Sequence, residues 1–298
     1  MKISRRDFLK WCSASAVAMG ITKMELDKLE SIVMAAETAP PVIWLQGSGC
    51  SGCTISLLNA VENTTVDDLL LNKVSMKYHS NLMVAAGQSA MSVIDDAITI
   101  SSGKFILVVE GGISTADNGI YCTLGERNGR HWTMLDAVTE LAPHAKYIIG
   151  AGTCATFGGV GKLGSNPTGI KNLTSVLDRN NSKKLINLPG CPVHPYTLTK
   201  TIIDVLLYGP PKLTSEKSPT QYYSTSVHNQ CPFKGTAQVS ELGQSGCLKG
   251  LGCKGPIAKY DCPNRKWNNK TNWCIGAGHP CIKCSRDDFG AESFYSFK

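Results

Sequence analysis

The chain has 298 residues, of which 42% are hydrophobic and 18% are charged, and its formal net charge is +7. This composition is typical of a globular protein of one or two domains that can bury a core. The lysines and arginines are scattered without a dominant basic run. We therefore interpret the charge as an aid to solubility and partner docking, and we expect no nucleic-acid partner.

The N-terminus has the pattern of a twin-arginine export leader. The pair Arg5-Arg6 precedes a short, mildly apolar stretch at residues 11–21, as in leaders of that class. A basic helix start is the ordinary alternative. We expect residues 1–36 to be a signal peptide and the mature protein to be periplasmic. No other stretch reaches the roughly 18 consecutive apolar residues of a membrane span, so we expect no integral span in the mature chain.

Between residues 42 and 208, apolar runs rich in β-formers alternate with helical patterns. The predicted strands are residues 42–46, 74–78, 105–110, 146–150 and 184–188. The predicted helices are residues 55–62, 85–100, 133–141, 173–179 and 196–207. This alternation is typical of an α/β protein with a parallel sheet covered by helices. We predict a flavodoxin-like open parallel sheet over residues 40–209.

The sequence changes in character after Gly209-Pro210-Pro211. Apolar periodicity fades, and Gly, Lys, Asn and Cys become prominent as far as Lys298. We predict a small, irregular C-terminal domain, residues 210–298, that folds around metal instead of a large apolar core.

The chain contains 13 cysteines, which in an exported protein usually indicate a disulfide framework. Here the cysteines come in tight clusters beside glycine and proline, a pattern more typical of metal chelation. Four of them follow predicted strands, where open α/β sheets bind their ligands. These four are Cys50, Cys53, Cys154 and Cys191.

The loop at residues 47–54, GSGCSGCT, nearly matches the phosphate-binding pattern GxxxxGK[ST], but Cys53 replaces its lysine. Without that positive charge, nucleotide binding is not expected. The N-terminus of the following helix would favour thiolates. A redox dithiol is the alternative for Cys50 and Cys53, but the loop cysteines Cys154 and Cys191 favour four converging ligands.

The C-terminal segment offers eight further metal-ligating side chains. They are His228, Cys231, Cys247, Cys253, Cys262, Cys274, Cys281 and Cys284. Spacing alone fits a zinc ribbon as well as an iron-sulfur site.

Six motifs together resemble the small subunits of nickel-iron hydrogenases. They are CxGC after the first strand, GTC followed by two glycines, PGCPxHP, HxxC, LGCKGP and GHPCIxC. The resemblance runs from the leader to nearly the last residue. It implies an electron-transfer subunit of an oxidoreductase, a hydrogenase whose hydrogen-splitting nickel-iron site lies on a large partner subunit. No catalytic residue is then expected in this chain.

The resemblance also implies three 4Fe-4S clusters, each with four ligands. The implied proximal ligands are Cys50, Cys53, Cys154 and Cys191. The implied distal ligands are His228, Cys231, Cys247 and Cys253. The implied medial ligands are Cys262, Cys274, Cys281 and Cys284.

The sequence departs from the commonest family pattern at three places. Many members have proline where this chain has Cys274 and carry a 3Fe-4S medial cluster, whereas a fourth thiolate is shared with the nickel-iron-selenium branch. Oxygen-tolerant relatives add two cysteines at the positions of Gly52 and Gly159, so we expect an oxygen-sensitive enzyme. A C-terminal membrane helix is missing before Lys298, which disfavours a quinone-linked form.

The resemblance implies a heterodimer that passes electrons to an external carrier such as a c-type cytochrome. We expect the large subunit to dock at the face around the proximal loops. Two alternatives remain: a hydrogen-sensing member of the family, which the leader disfavours, and a zinc- or disulfide-stabilised binding protein of the cell envelope.

Several other polar residues are expected to have lesser roles. Cys122 is predicted to be a buried free thiol. Glu110, at a predicted strand end, is either a carboxylate behind the ligands, an interface residue, or a surface acid. His144, His194 and His279 are expected to be structural.

Overall fold

The computed structural model describes residues 39–292. The predicted leader at residues 1–36 lies outside the described residues. Within residues 39–292 no helix is both long enough and apolar enough to cross a membrane.

Five parallel strands form the main sheet, and a short antiparallel hairpin lies outside it. The strands are β1 Pro41–Gln46, β2 Ser75–His79, β3 Ile106–Glu110, β4 Thr123–Arg127, β5 Arg130–Thr133, β6 Tyr147–Ala151 and β7 Leu185–Leu188. The sheet order is β2-β1-β3-β6-β7, and β4 pairs with β5. This is the flavodoxin-like order, so the predicted fold class is confirmed. Each predicted strand is present with its ends shifted by one residue at most.

Within residues 39–292, ten α-helical segments connect or follow the strands. They are α1 Gly52–Leu58, α2 Val66–Asp68, α3 Gln88–Thr99, α4 Met134–Leu141, α5 Gly152–Phe157, α6 Leu173–Val176, α7 Pro195–Leu207, α8 Thr220–Tyr223, α9 Val227–Gln230 and α10 Cys262–Arg265. Short 3₁₀ segments include Gly159–Lys162 and Lys249–Leu251. The prediction of a helix over 55–62 was wrong at both ends, because α1 begins at Gly52, within the cysteine loop, and ends at Leu58.

The two faces of the sheet bury separate apolar clusters. Ile43 and Leu107 point to the face covered by α3 and α4. Trp44 and Val108 point to the opposite face, which α1 and α7 cover. This side alternation is the period of a β-strand.

The C-terminal segment joins the second of these clusters. Its buried apolar residues include Tyr222, Tyr223, Leu248, Tyr260 and Trp273, and all belong to the cluster that contains Trp44. The segment therefore has apolar packing of its own against the sheet domain, in addition to its cysteines.

A pair of buried tyrosines attaches this segment to the loop after β7. The rings of Tyr223 and Tyr260 stack with centroids 4.7 Å apart. The Tyr223 hydroxyl donates to the Pro189 carbonyl at 2.8 Å, and the His194 backbone N–H donates to the Tyr260 hydroxyl at 3.1 Å. These contacts fix the turn that carries Cys191 against the C-terminal segment.

Candidate functional site

The parallel register places the ends of four strands side by side. Gln46 pairs with Glu110, Glu110 with Ala151, and Ala151 with Leu188. Loops that leave these ends meet at one edge of the sheet, as in other open α/β folds.

One quartet of cysteines converges at this edge, in what we call the proximal cavity. Cys50 lies in the loop after β1, Cys53 lies in α1, Cys154 lies in α5, and Cys191 follows β7. All four line a single cavity. The structure thus brings together the four side chains that the strand-end rule selects.

Glycines let the backbone approach the proximal sulfurs closely. A Cβ atom at Gly159 would lie 2.6 Å from the Sγ of Cys154, and one at Gly52 would lie 3.1 Å from the Sγ of Cys50. Gly159 also has a φ of +58°, in the region that favours glycine. Gly52 and Gly159 therefore border the proximal thiols.

Glu110 is a buried carboxylate behind this quartet, with 2% of its surface exposed. Its Oε1 accepts hydrogen bonds from the backbone N–H groups of Cys53 and Thr54, at 2.9 and 3.1 Å. Its Oε2 accepts from Trp44 Nε1 at 3.0 Å and from the Thr54 hydroxyl at 2.5 Å. The surface-acid alternative is therefore wrong.

Three of the proximal thiols have a raised pKa, namely those of Cys53, Cys154 and Cys191. Burial raises the pKa of Cys53, and the Glu110 carboxylate raises it further. Burial and the thiols of Cys191 and Cys50 raise the pKa of Cys154 to about 11. A redox dithiol needs a lowered thiol pKa, so this environment disfavours that alternative. Two backbone N–H groups at the start of α1, those of Cys53 and Thr54, donate to Glu110 and not to a proximal thiol.

A second quartet lines what we call the medial cavity. Its members are Cys262, Cys274, Cys281 and Cys284. Burial raises the pKa of Cys262, and the thiols of Cys284, Cys281 and Cys274 raise it further. Cys274 therefore lies within electrostatic reach of the same group as the other three.

A third quartet lines what we call the distal cavity. Its members are His228, Cys231, Cys247 and Cys253. Burial raises the pKa of Cys231, and the thiols of Cys253 and Cys247 raise it further. Here an imidazole joins three thiols, a donor set known in iron-sulfur chemistry.

The three cavities adjoin one another in series. Cys191 lines both the proximal and the medial cavity. Burial raises the pKa of the Cys284 thiol to about 12, although that thiol accepts a hydrogen bond from the Cys191 backbone N–H. The medial and distal cavities are also joined. The backbone N–H of Lys254, next to the distal Cys253, donates to the carbonyl of the medial Cys281 at 2.7 Å. Cys253 also contributes to the raised pKa of Cys281, after burial and Cys284.

The donors fit iron-sulfur clusters by their chemistry. Every cysteine among residues 39–292 is a free thiol, so the disulfide alternative is wrong for this part of the chain. In the same residues, no three His, Cys, Asp or Glu side chains converge closely enough to hold one metal ion. Three thiol-rich quartets around separate cavities are what clusters with several irons require.

The other predicted residues have partners of their own. His194 Nδ1 accepts from the Tyr196 N–H at 3.1 Å, and its Nε2 lies 2.7 Å from the Lys266 carbonyl. His194 is thus the N-cap of α7, which confirms its structural role. Cys122 is half-buried, and burial raises its pKa.

Sequence reasoning missed His79 as part of the site. Its ring stacks on Trp44 at 5.1 Å, and its Nε2 lies 3.4 Å from the Thr54 hydroxyl. Burial lowers its pKa to about 4, so the imidazole is neutral beside the Glu110 network. No motif surrounds His79 in the sequence, and only the pairing of β1 with β2 brings it there.

Two family profiles match the chain. Residues 50–205 match the 20 kDa subunit of NADH ubiquinone oxidoreductase, and residues 223–296 match the C-terminal part of NiFe/NiFeSe hydrogenase small subunits.

Individual relatives cover nearly the whole chain. The periplasmic [NiFe] hydrogenase small subunit 1 of Nitratidesulfovibrio vulgaris is 39% identical over 97% of this chain and 92% of its own length. The periplasmic [NiFeSe] hydrogenase small subunit of Desulfomicrobium baculatum is 35% identical over 99% of both chains. A solved structure of the [NiFeSe] hydrogenase from Dm. baculatum covers 88% of this chain and 100% of its own, with 34% identity and a TM-score of 0.80.

Proposed function

Since this chain belongs to the family of NiFe/NiFeSe hydrogenase small subunits, we propose that it relays electrons between a large subunit's nickel-iron site and an external carrier. The serial arrangement of three ligand quartets supports this proposal most strongly. Bound iron-sulfur clusters would supply one-electron steps. The chain's own residues hold the clusters, set their surroundings and exclude water.

The assignment of ligands is part of the proposal. The proximal set is Cys50, Cys53, Cys154 and Cys191. The medial set is Cys262, Cys274, Cys281 and Cys284. The distal set is His228, Cys231, Cys247 and Cys253. We propose a 4Fe-4S cluster at each. At the medial site the reason is Cys274, a fourth thiol that lines the cavity with Cys262, Cys281 and Cys284.

An exposed apolar strip supports docking of the large subunit beside the proximal cavity. Ile55 and Val61 are 55% and 58% exposed, and Leu58 is 38% exposed. All three lie on α1 or directly after it, in the segment that begins at the proximal loop. Apolar side chains in such numbers are typical of a surface that a partner covers.

The remaining parts of the proposal concern the cell. We propose export by the twin-arginine pathway to the periplasm, consistent with relatives whose names include that compartment. We propose a c-type cytochrome as the external acceptor. Glycine stands at positions 52 and 159, where the oxygen-tolerant pattern has cysteine, so we propose an ordinary proximal cluster and an oxygen-sensitive enzyme.

The test is the anaerobic purification of the native complex that contains this chain. We expect a brown heterodimer with nickel on the large subunit, iron and sulfide on this one, and hydrogen-dependent reduction of a viologen dye. A brown complex without nickel or hydrogen-dependent activity would support the presence of iron-sulfur clusters but refute the hydrogenase function.

A further inference from the structure

The rim of the distal cavity is positively charged. Lys234 and Lys249 both line the cavity and both are exposed. The Lys234 ammonium group donates to the neutral Asn229 side chain at 3.0 Å. Both lysines therefore place positive charge beside the cavity that the last ligand quartet lines.

No acid offsets these two charges in the part of the chain that the structure describes. Within residues 39–292 no carboxylate lies within 4 Å of either ammonium group. The neighbouring Lys254 is different, because it pairs with Glu292 at 3.3 Å. From His228 to Ile257 the sequence carries a single acid, Glu241, and its side chain accepts a hydrogen bond from Gln244.

A small apolar area completes this surface. Phe233 and Pro256 line the same cavity as the two lysines, and the adjacent Ile257 is 46% exposed. A compact apolar patch with charge at its rim is the form of a transient redox interface, where contact is brief and charge controls the encounter rate.

We propose that this exit face, formed by Phe233, Lys234, Lys249, Pro256 and Ile257, docks an electron-carrier protein whose own redox centre is surrounded by acidic side chains. The proposal rests on the function proposed above and adds the charge of the partner. Complementary charge raises the encounter rate and orients the carrier's centre toward the His228 side of the distal cavity. A carrier with a basic face would be repelled at the same place.

The test uses the intact heterodimer and two c-type cytochromes, one with an acidic and one with a basic haem-edge face. Hydrogen-dependent reduction of each is measured across ionic strength. Each rate is divided by the rate of the same preparation with a small uncharged quinone, which cancels any change in the clusters. We expect the acidic cytochrome to be reduced faster at low salt and its rate to fall as salt screens the charges.

Charge reversal at the exit face supplies the second part of the test. In the Lys234→Glu/Lys249→Glu variant we expect the normalised kcat/KM for the acidic cytochrome to fall by at least about tenfold. The variant with both lysines changed to arginine should retain the wild-type value. Lys104→Glu is the matched control, because Lys104 is exposed and precedes β3, at the opposite edge of the sheet from the cysteine loops.

Two results would overturn the inference. One is faster reduction of the basic cytochrome at low salt. The other is a rate for the acidic cytochrome that changes neither with salt nor with charge reversal. If the quinone is still reduced with hydrogen, neither result contradicts the proposed function. If the wild-type complex does not reduce the quinone with hydrogen, the proposed function itself is refuted.

Discussion

At the residue scale, Glu110 shows what sequence patterns leave undetermined. An acid at the end of a strand has two ordinary fates, exposure or burial with partners. Here four donors from Trp44, Cys53 and Thr54 surround the carboxylate. Those donors come from β1 and α1, and the carboxylate itself ends β3, so their convergence depends on the packing of all three elements. The grouping of the cysteines around three cavities could be predicted from the sequence, because short motifs carry them.

The clearest residue-level prediction concerns Cys274. Its φ of −50° is compatible with proline, so Cys274→Pro can be made without forcing the backbone. We expect this change to convert the medial cluster into a three-iron form with its own EPR signal. The Cys122→Ser variant is the control and should leave the spectrum unchanged. A strong three-iron signal in anaerobic wild-type protein would contradict the assignment of Cys274.

A second prediction uses the buried imidazole of His194. Burial lowers its pKa to about 4, below the unfolded value of about 6.5. The unfolded chain therefore binds the extra proton first as pH falls. The stability from neutral His194 is complete above pH 6.5 and is lost progressively toward pH 4, by an amount of the order of 3 kcal/mol.

The test is the melting temperature of the complex between pH 7 and pH 4. His194→Asn keeps a capping acceptor for α7 but cannot ionise, so its melting temperature should fall less steeply with acid. His144→Asn is the matched control, since the His144 ring bonds an exposed serine hydroxyl. Equal slopes for wild type and His194→Asn would show that His194 does not carry the pH dependence.

At the element scale, sequence reasoning found the sheet and missed the small elements. Four of the five parallel strands, all except β2, are mostly apolar because both faces of the sheet are covered, and each of the five was predicted within one residue. The β4–β5 hairpin was missed because its strands are mostly polar. Its turn at Asn128-Gly129 has both residues at positive φ, and this Asn-Gly pair was a detectable hairpin pattern.

A prediction at the element scale concerns the 3₁₀ segment Gly159–Lys162, which follows α5. In Gly159→Ala the new Cβ would lie 2.6 Å from the Cys154 sulfur at a positive φ, so this turn must shift. We expect loss of the proximal cluster, measured as iron content and EPR intensity. Gly161→Ala, in the same 3₁₀ segment, meets nothing closer than 3.5 Å and should retain the cluster. Full iron content in Gly159→Ala would mean that the turn adapts.

At the scale of the whole molecule, the C-terminal segment packs into an apolar core and does not rely on its metal-binding residues alone. Its tyrosines join the apolar cluster under the sheet and contact the turn that carries Cys191. The sequence shows no regular apolar repeat in this segment, because short helices and turns bury apolar residues at irregular spacing. Its apolar packing could therefore not be predicted from the sequence. The boundary between residues 209 and 210 stays a prediction.

The central claim is that this chain conducts electrons and leaves hydrogen splitting to its partner. The most direct test compares two activities of one complex, namely hydrogen–deuterium exchange, which needs no external acceptor, and hydrogen-dependent reduction of a c-type cytochrome. In a heterodimer with Cys231→Ala at the distal quartet, we predict that exchange persists while most cytochrome reduction is lost. Undiminished cytochrome reduction in that variant would contradict the relay through the distal site.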